Sequence, residues 1–187
     1  DARVRIGQTQ TKAPRHLVVS AYPAQYEASV VTTGLVKVFI RPIRPEDAPL
    51  LVDLFDSLSS RSIYHRFFSP LKRLPHSMLA RFTQIDYDRE IALVAFKGTS
   101  EPDHMLGVAR VILTRNMKNA EFSVLGGDPW QGKGIGAELL KKCLTIAGER
   151  GIEKISGLVL TENTQMLTLG KKLGFELHRV PQSGTFE

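Results

Sequence analysis

A single cysteine, Cys143, occurs in the 187 residues, so no internal disulfide framework can form. A lone thiol within a helical pattern fits a reducing, intracellular setting, and we expect a cytoplasmic protein. No apolar run approaches the ~20 residues of a membrane span. No basic-then-apolar leader opens the chain, so neither membrane insertion nor secretion is expected. The net charge is +6, yet no five basic residues run together. Lys72-Arg73, Lys141-Lys142 and Lys171-Lys172 remain isolated pairs, two of them on solvated helix faces. Nucleic acid is therefore not an expected partner. The five histidines, His16, His65, His76, His104 and His178, lie far apart without metal-ligand spacing, and no metal is expected. Internal repeats and low-complexity blocks are also missing. Position 1 is Asp rather than Met, which reads as a piece of something longer.

What is present is one domain's worth of alternating elements. Residues 1–26 read as a linker or tail and 27–187 as the domain. Residues 27–40 form two strands around Thr33-Gly34. Arg44-Pro45-Glu46-Asp47 opens a helix whose buried stripe is Leu50, Leu51, Leu54, Phe55 and Leu58. A second helix covers 75–82. Strands follow at 90–96, 105–113 and 120–125. A helix then runs from about 135 to 150 with Leu139, Leu140, Cys143, Leu144 and Ala147 inward. Gly151 ends it. A strand at 154–160, a helix at 163–173 and a strand at 175–180 complete the order ββ-αα-βββ-α-β-α-β. Short turns imply antiparallel pairing in the middle. The strand–helix–strand unit at 120–160 implies a right-handed parallel crossover. The fold class is mixed α/β (α+β): one twisted, mostly antiparallel sheet flanked by helices.

The stretch Trp130-Gln-Gly-Lys-Gly-Ile-Gly136 stands between a strand and a helix. Glycines there let backbone N–H groups approach a bulky anion, and the helix N-terminus adds unpaired donors. Three phosphate motifs compete for the loop. Gly127 to Lys133 gives G-x-x-x-x-G-K, but Gly134 stands where a P-loop needs Ser or Thr for magnesium, and Pro129 lacks an N–H. Gly132-x-Gly134-x-x-Ala137 fits a relaxed dinucleotide fingerprint. That fingerprint belongs in the first βαβ unit, whereas two-thirds of this chain precedes it. The third pattern is Gln131-x-x-Gly134-x-Gly136.

That pattern resembles the acetyl-CoA pyrophosphate motif of the GNAT N-acetyltransferase superfamily, Q/R-x-x-G-x-G/A. Asn163-x-x-Met166-x-x-Leu169-x-x-x-x-Gly174-Phe175 resembles the same family's N-x-x-A-x-x-L-Y-x-K-x-G-F segment. Two spaced motifs agree over roughly residues 36 to 180. Residues 40–47 (Ile-Arg-Pro-Ile-Arg-Pro-Glu-Asp) and 62–68 (Ser-Ile-Tyr-His-Arg-Phe-Phe) are similar to the C-terminal acetyltransferase domain of protein lysine acetyltransferases fused to NDP-forming acyl-CoA synthetase-like domains. A start without Met fits such a fragment.

The resemblance implies a βαβ acetyl-CoA-binding core and acetyl-CoA as acyl donor, with CoA as product. The acceptor it implies is a lysine of a protein such as an acyl-CoA synthetase. A small amine, or a CoA-sensing regulatory role in a larger fusion, are the alternatives. It places the pyrophosphate on N–H groups of Gln131, Gly132, Lys133, Gly134, Ile135 and Gly136. The side chain of Lys133 fits a phosphate contact or a solvated loop position equally. Backbone of Val124, Leu125 and Gly126 would hold the pantetheine arm. Asn163 would reach the cofactor, or cap its helix. Glu121 stands at the position close relatives use as a base; alternation puts it on one strand face with Ser123 and Leu125. Glu90, Asp86 and Glu162 are less well placed carboxylates. Gly170 holds the position where many relatives carry a Tyr that protonates the leaving thiolate. Tyr64 and Tyr87 lie on distant segments. Phe67-Phe68 reads as core, and Cys143 as a buried structural thiol. Residues 181–187 are short for the family's seventh strand, which reads as truncation before it.

Overall fold

The computed structural model describes residues 21–98 and 103–187, so the expected tail is described only from residue 21. Six strands form the main sheet. They are β1 (Ala28–Val31), β2 (Lys37–Pro42), β3 (Glu90–Lys97), β4 (Met105–Leu113), β5 (Asn119–Gly126) and β6 (Lys154–Ser156), in that spatial order. All neighbours are antiparallel except β5–β6. The Thr33-Gly34 hairpin forms as expected, with Val31 opposite Lys37.

Between β2 and β3 lie three helices, α1 (Ala48–Asp56), α2 (Ser60–Phe67) and α3 (His76–Thr83), where the sequence suggested two. The extra one is α2. Its only strongly apolar pair at helical spacing is Ile63 and Phe67, too little for a periodic signal. Its cap is explicit, because Ser59 Oγ accepts the Ser62 N–H at 3.2 Å. On α1, Leu51, Leu54 and Phe55 are buried. They pack on one sheet face with Val94, Phe96, Val108 and Leu125.

The opposite face carries α4 (Ile135–Glu149), which buries Ile135, Leu139, Leu140, Cys143, Ile146 and Ala147. Ile146 takes the inward place expected of Leu144. Cys143 is fully buried and donates weakly to the Ala109 carbonyl at 3.8 Å. Burial pushes its thiol up to about 12, so it packs and does not react. Gly151, at φ +74°, closes the helix.

The expected strand at 154–160 breaks in two. β6 ends at Ser156, and β7 (Val159–Leu160) joins a separate small sheet with β8 (Arg179–Val180) and β9 (Thr185–Phe186). Only Arg179–Val180 of the expected 175–180 strand forms a strand, and the last residues supply β9 between β7 and β8. Helix α5 (Thr164–Lys172) connects β7 to β8.

The break after β6 has a local cause. β5 and β6 pair only at Asn119–Lys154, Ala120–Ile155 and Glu121–Ser156. Beyond that the ring of Phe122 occupies the fork, against Phe175 at 4.9 Å between centroids. Gly157 lies so close that an added Cβ would stand 2.6 Å from the Phe122 ring. Residue 157 must therefore lack a side chain, and among the described residues no strand lies beside the outer edge of β5 from Phe122 to Gly126.

Candidate active site

A cavity of about 1090 Å³ opens along that unpaired edge. One end is the glycine loop. Gly132 (φ +73°) and Gly134 (φ +85°) take left-handed conformations that suit glycine. A Cβ on Gly134 would stand 2.4 Å from Thr33 Oγ1, and one on Gly34 would stand 2.8 Å from the Lys133 carbonyl. The β1–β2 hairpin thus buttresses the loop from outside, a contact with no sequence signal.

Among the described residues, the backbone N–H groups of Gly132, Gly134, Ile135, Gly136 and Ala137 have no hydrogen-bond partner. Those of Gln131 and Lys133 are engaged within the turn, by the Asp128 and Trp130 carbonyls at 3.3 and 3.4 Å. The expected donor set therefore narrows at Gln131 and Lys133 and gains Ala137. Five free donors at the start of a 15-residue helix suit a pyrophosphate. The Lys133 ammonium lies over the Trp130 ring, 4.7 Å from its centroid, and Lys133 does not line the cavity.

Val124, Leu125 and Gly126 line the cavity along β5. Val124 packs toward α4, and Leu125 is buried on the opposite face. Asn163 lines it too, while its Oδ1 caps α5 by accepting the Met166 N–H at 3.1 Å. The cap is thus in use, with the amide NH2 still free to donate.

The other end of the cavity holds Glu121 at the root of the β5–β6 fork, exposed, its carboxylate without a hydrogen bond or ion pair among the described residues. None of the alternative carboxylates lines the cavity. Glu90 is ion-paired with Arg110, Glu162 lies 3.6 Å from His65 Nε2, and Asp86 accepts the Asp88 N–H at 3.0 Å. Tyr87 donates to the Ile43 carbonyl, and burial raises its pKa further, so it serves structure. Gly170 is buried; an added Cβ would meet Phe175 at 3.8 Å.

The α2 and α3 segments, which no sequence motif places here, supply the remaining wall: His65, Arg66, Phe67, Phe68, Arg81 and Phe82. Phe67 packs on Phe55 and Phe82, whereas Phe68, at φ 55°, is 40% exposed and so not core as expected. The Arg66 guanidinium lies 5.0 Å from the Phe67 ring centroid and 6.0 Å from that of Phe82, without an ion pair among the described residues. Burial, then the charge of nearby Arg110, pull its pKa down to about 10, and Glu90 offsets this only in part. Glu90, the carboxylate that acts on Arg66, is already ion-paired with Arg110.

The sequence model of the family described as "Acetyltransferase (GNAT) domain" matches residues 37–176. The chain belongs to the GNAT acetyltransferase family. It is an N-acetyltransferase, and GNAT domains draw their acetyl group from acetyl-CoA. An acetyltransferase of Pseudomonas aeruginosa is 27% identical over 148 residues, covering 79% of this chain and 80% of the relative. The acetyltransferase Pat of Mycolicibacterium smegmatis is 28% identical over 137 residues, 73% of this chain but 40% of Pat. Among solved structures, the GNAT domain of S. lividans PAT superposes with a TM-score of 0.81 at 30% identity. That match covers 89% of this chain and 97% of that domain. Among the described residues of this GNAT domain, no helix is long and apolar enough to cross a membrane.

Proposed function

We propose that this GNAT domain acetylates a lysine side chain of a protein, an acyl-CoA synthetase being the first candidate, by direct attack of the amine on the acetyl-CoA thioester. The observation that carries the reading is one cavity with two chemically distinct ends: free backbone donors at Gly132 and Gly134 to Ala137, and an unpaired carboxylate, Glu121, at the fork. The likeness to Pat and to the PAT domain supports a protein acceptor.

The donor's pyrophosphate would take N–H bonds from Gly132, Gly134, Ile135, Gly136 and Ala137. Each charge-assisted bond contributes about 1.5–3 kcal/mol, against about 0.3–1 for the helix dipole, so the bonds decide. The pantetheine arm would lie along Val124 to Gly126 as a missing strand beside β5, near the Asn163 amide. This accounts for a β5 edge left open by the Phe122 wedge.

At the far end an amine must lose a proton. A lysine of pKa about 10.4 is neutral about once in 2,500 at pH 7, a penalty of about 4.6 kcal/mol. Glu121 takes that proton as the nitrogen–carbonyl bond forms, and the carbon–sulfur bond then breaks to release CoA thiolate. The guanidinium groups of Arg66 and Arg81, which line the same cavity, disfavour an ammonium there and so assist the same step. Gly170 offers no acid, and the thiolate leaves without a proton from that position.

The test is mass spectrometry of purified acyl-CoA synthetases after incubation with acetyl-CoA and this domain, beside a panel of small amines. One acetyl increment on a defined lysine, dependent on enzyme, is expected. Acetylation of small amines alone would overturn the protein-acceptor reading.

A further inference from the structure

Asp128 lies in the one-turn 3-10 segment Asp128–Trp130, between β5 and the glycine loop, outside the donor and acceptor walls just described. Its carboxylate ties the start of α2 to the first residue of the glycine loop. It accepts the Ser59 N–H at 2.7 Å and the Ser62 hydroxyl at 2.5 Å, both from the start of α2. It also accepts the Gln131 side-chain amide at 3.0 Å. That same amide donates to Ser62 Oγ at 2.9 Å and to the Gly126 carbonyl at 3.3 Å. Gly126 ends β5, Gln131 begins the loop, and α2 carries His65 and Arg66, with Phe68 at its end, on the acceptor side.

We infer that Asp128 is a positioning residue, a latch that holds the acceptor-side helix α2 against the donor-side loop so that each end of the cavity is set by the other. The inference rests on the acyl-transfer reading of the cavity. The first residue of the Q-x-x-G-x-G motif thereby gains a second role. Its side chain ties the loop to α2, while the free N–H groups begin one residue later.

Three features favour a latch over an incidental surface contact. First, the contacts are 66 and 69 residues apart in sequence, so they fix tertiary placement and not local turn geometry. Second, α2 has few other ties to this side; only Ile63 is buried among its eight residues. Third, burial would raise the Asp128 pKa, but the hydrogen bonds from Ser62 and Ser59 outweigh it and hold the carboxyl below its usual range. The charged form is the one that fits.

Asp128→Ala, Asp128→Asn and Ser62→Ala test this. Trp130 is the only tryptophan and lines the cavity, so its fluorescence reports acetyl-CoA binding without turnover. With whichever amine the acceptor screen identifies, Asp128→Ala is expected to raise the acceptor KM about tenfold, the scale of one lost hydrogen bond. Acetyl-CoA affinity should stay within about threefold. Asp128→Asn, which can still accept from Ser59, should recover most of the loss, and Ser62→Ala should cost about threefold. Equal losses of acetyl-CoA affinity and acceptor KM would mean that Asp128 merely shapes the loop, and an unchanged acceptor KM would exclude the latch.

Amide hydrogen exchange over residues 60–67 reads the same coupling without any acceptor. Acetyl-CoA should slow exchange there in the native protein and leave Asp128→Ala unaffected. If no amine accepts the acetyl group, the proposed function fails while this exchange measurement still decides the latch; identical acetyl-CoA responses in both proteins would overturn it.

Discussion

At one end of the cavity the polar groups are backbone N–H groups from Gly132 to Ala137; at the other they are the side chains of Glu121, Arg66 and Arg81. The donor end is rigid by construction, with the loop clamped between the Thr33-Gly34 hairpin and the start of α4. The acceptor end is a wall of side chains on two eight-residue helices, α2 and α3, of which α2 buries a single apolar residue, Ile63. A backbone cradle fixes what binds through glycine placement. A side-chain wall can change its substrate by substitution while the sheet stays as it is.

The contrast predicts that damage to the donor end acts through conformation and damage to the acceptor end through charge. The largest effect on donor binding should come from Gly134→Val. It forces a β-branched residue into φ +85° with its Cβ against Thr33. Acetyl-CoA affinity, followed by Trp130 fluorescence or calorimetry, should fall about 100-fold. Retained affinity would mean that the loop is not the cradle.

Next comes Arg66→Met. Removing a guanidinium without an ion pair while keeping apolar contact with Phe67 and Phe82 should stabilise the fold. Because Arg66 is only half-buried, the gain is put at about 1 kcal/mol in denaturant unfolding, with turnover reduced. Lower stability would show that Arg66 has a structural partner. The smallest effect belongs to Lys133→Ala, whose ammonium lies on Trp130 and away from the cavity. Acetyl-CoA KM should move by less than about threefold.

The same contrast explains what was legible in the sequence. The loop could be read because the left-handed backbone at Gly132 and Gly134 calls for glycine, a requirement that survives in one dimension. The β3–β4–β5 meander and α4 were legible from their periodicities, and their bounds differ from expectation by about a residue. Helix α2 was not, since Ile63 and Phe67 alone make no stripe. The break within 154–160 is invisible in the sequence because Gly157 reads as an ordinary strand glycine until the Phe122 ring stands beside it. Asp128 gave no signal: its partners Ser59 and Ser62 are adjacent only after folding. Glu121 stands out in the sequence only through family resemblance. Alternation places it on a face, but only the parting of β5 and β6 puts it at the head of a cavity.

The central claim, that the backbone cradle holds the donor while Glu121 performs the proton transfer, is tested most directly by Glu121→Gln. Acetyl-CoA affinity by Trp130 fluorescence and kcat with a saturating acceptor should be measured on the same preparation. Unchanged affinity with kcat lowered about 10²–10⁴-fold is expected. Full turnover in Glu121→Gln would contradict the claim.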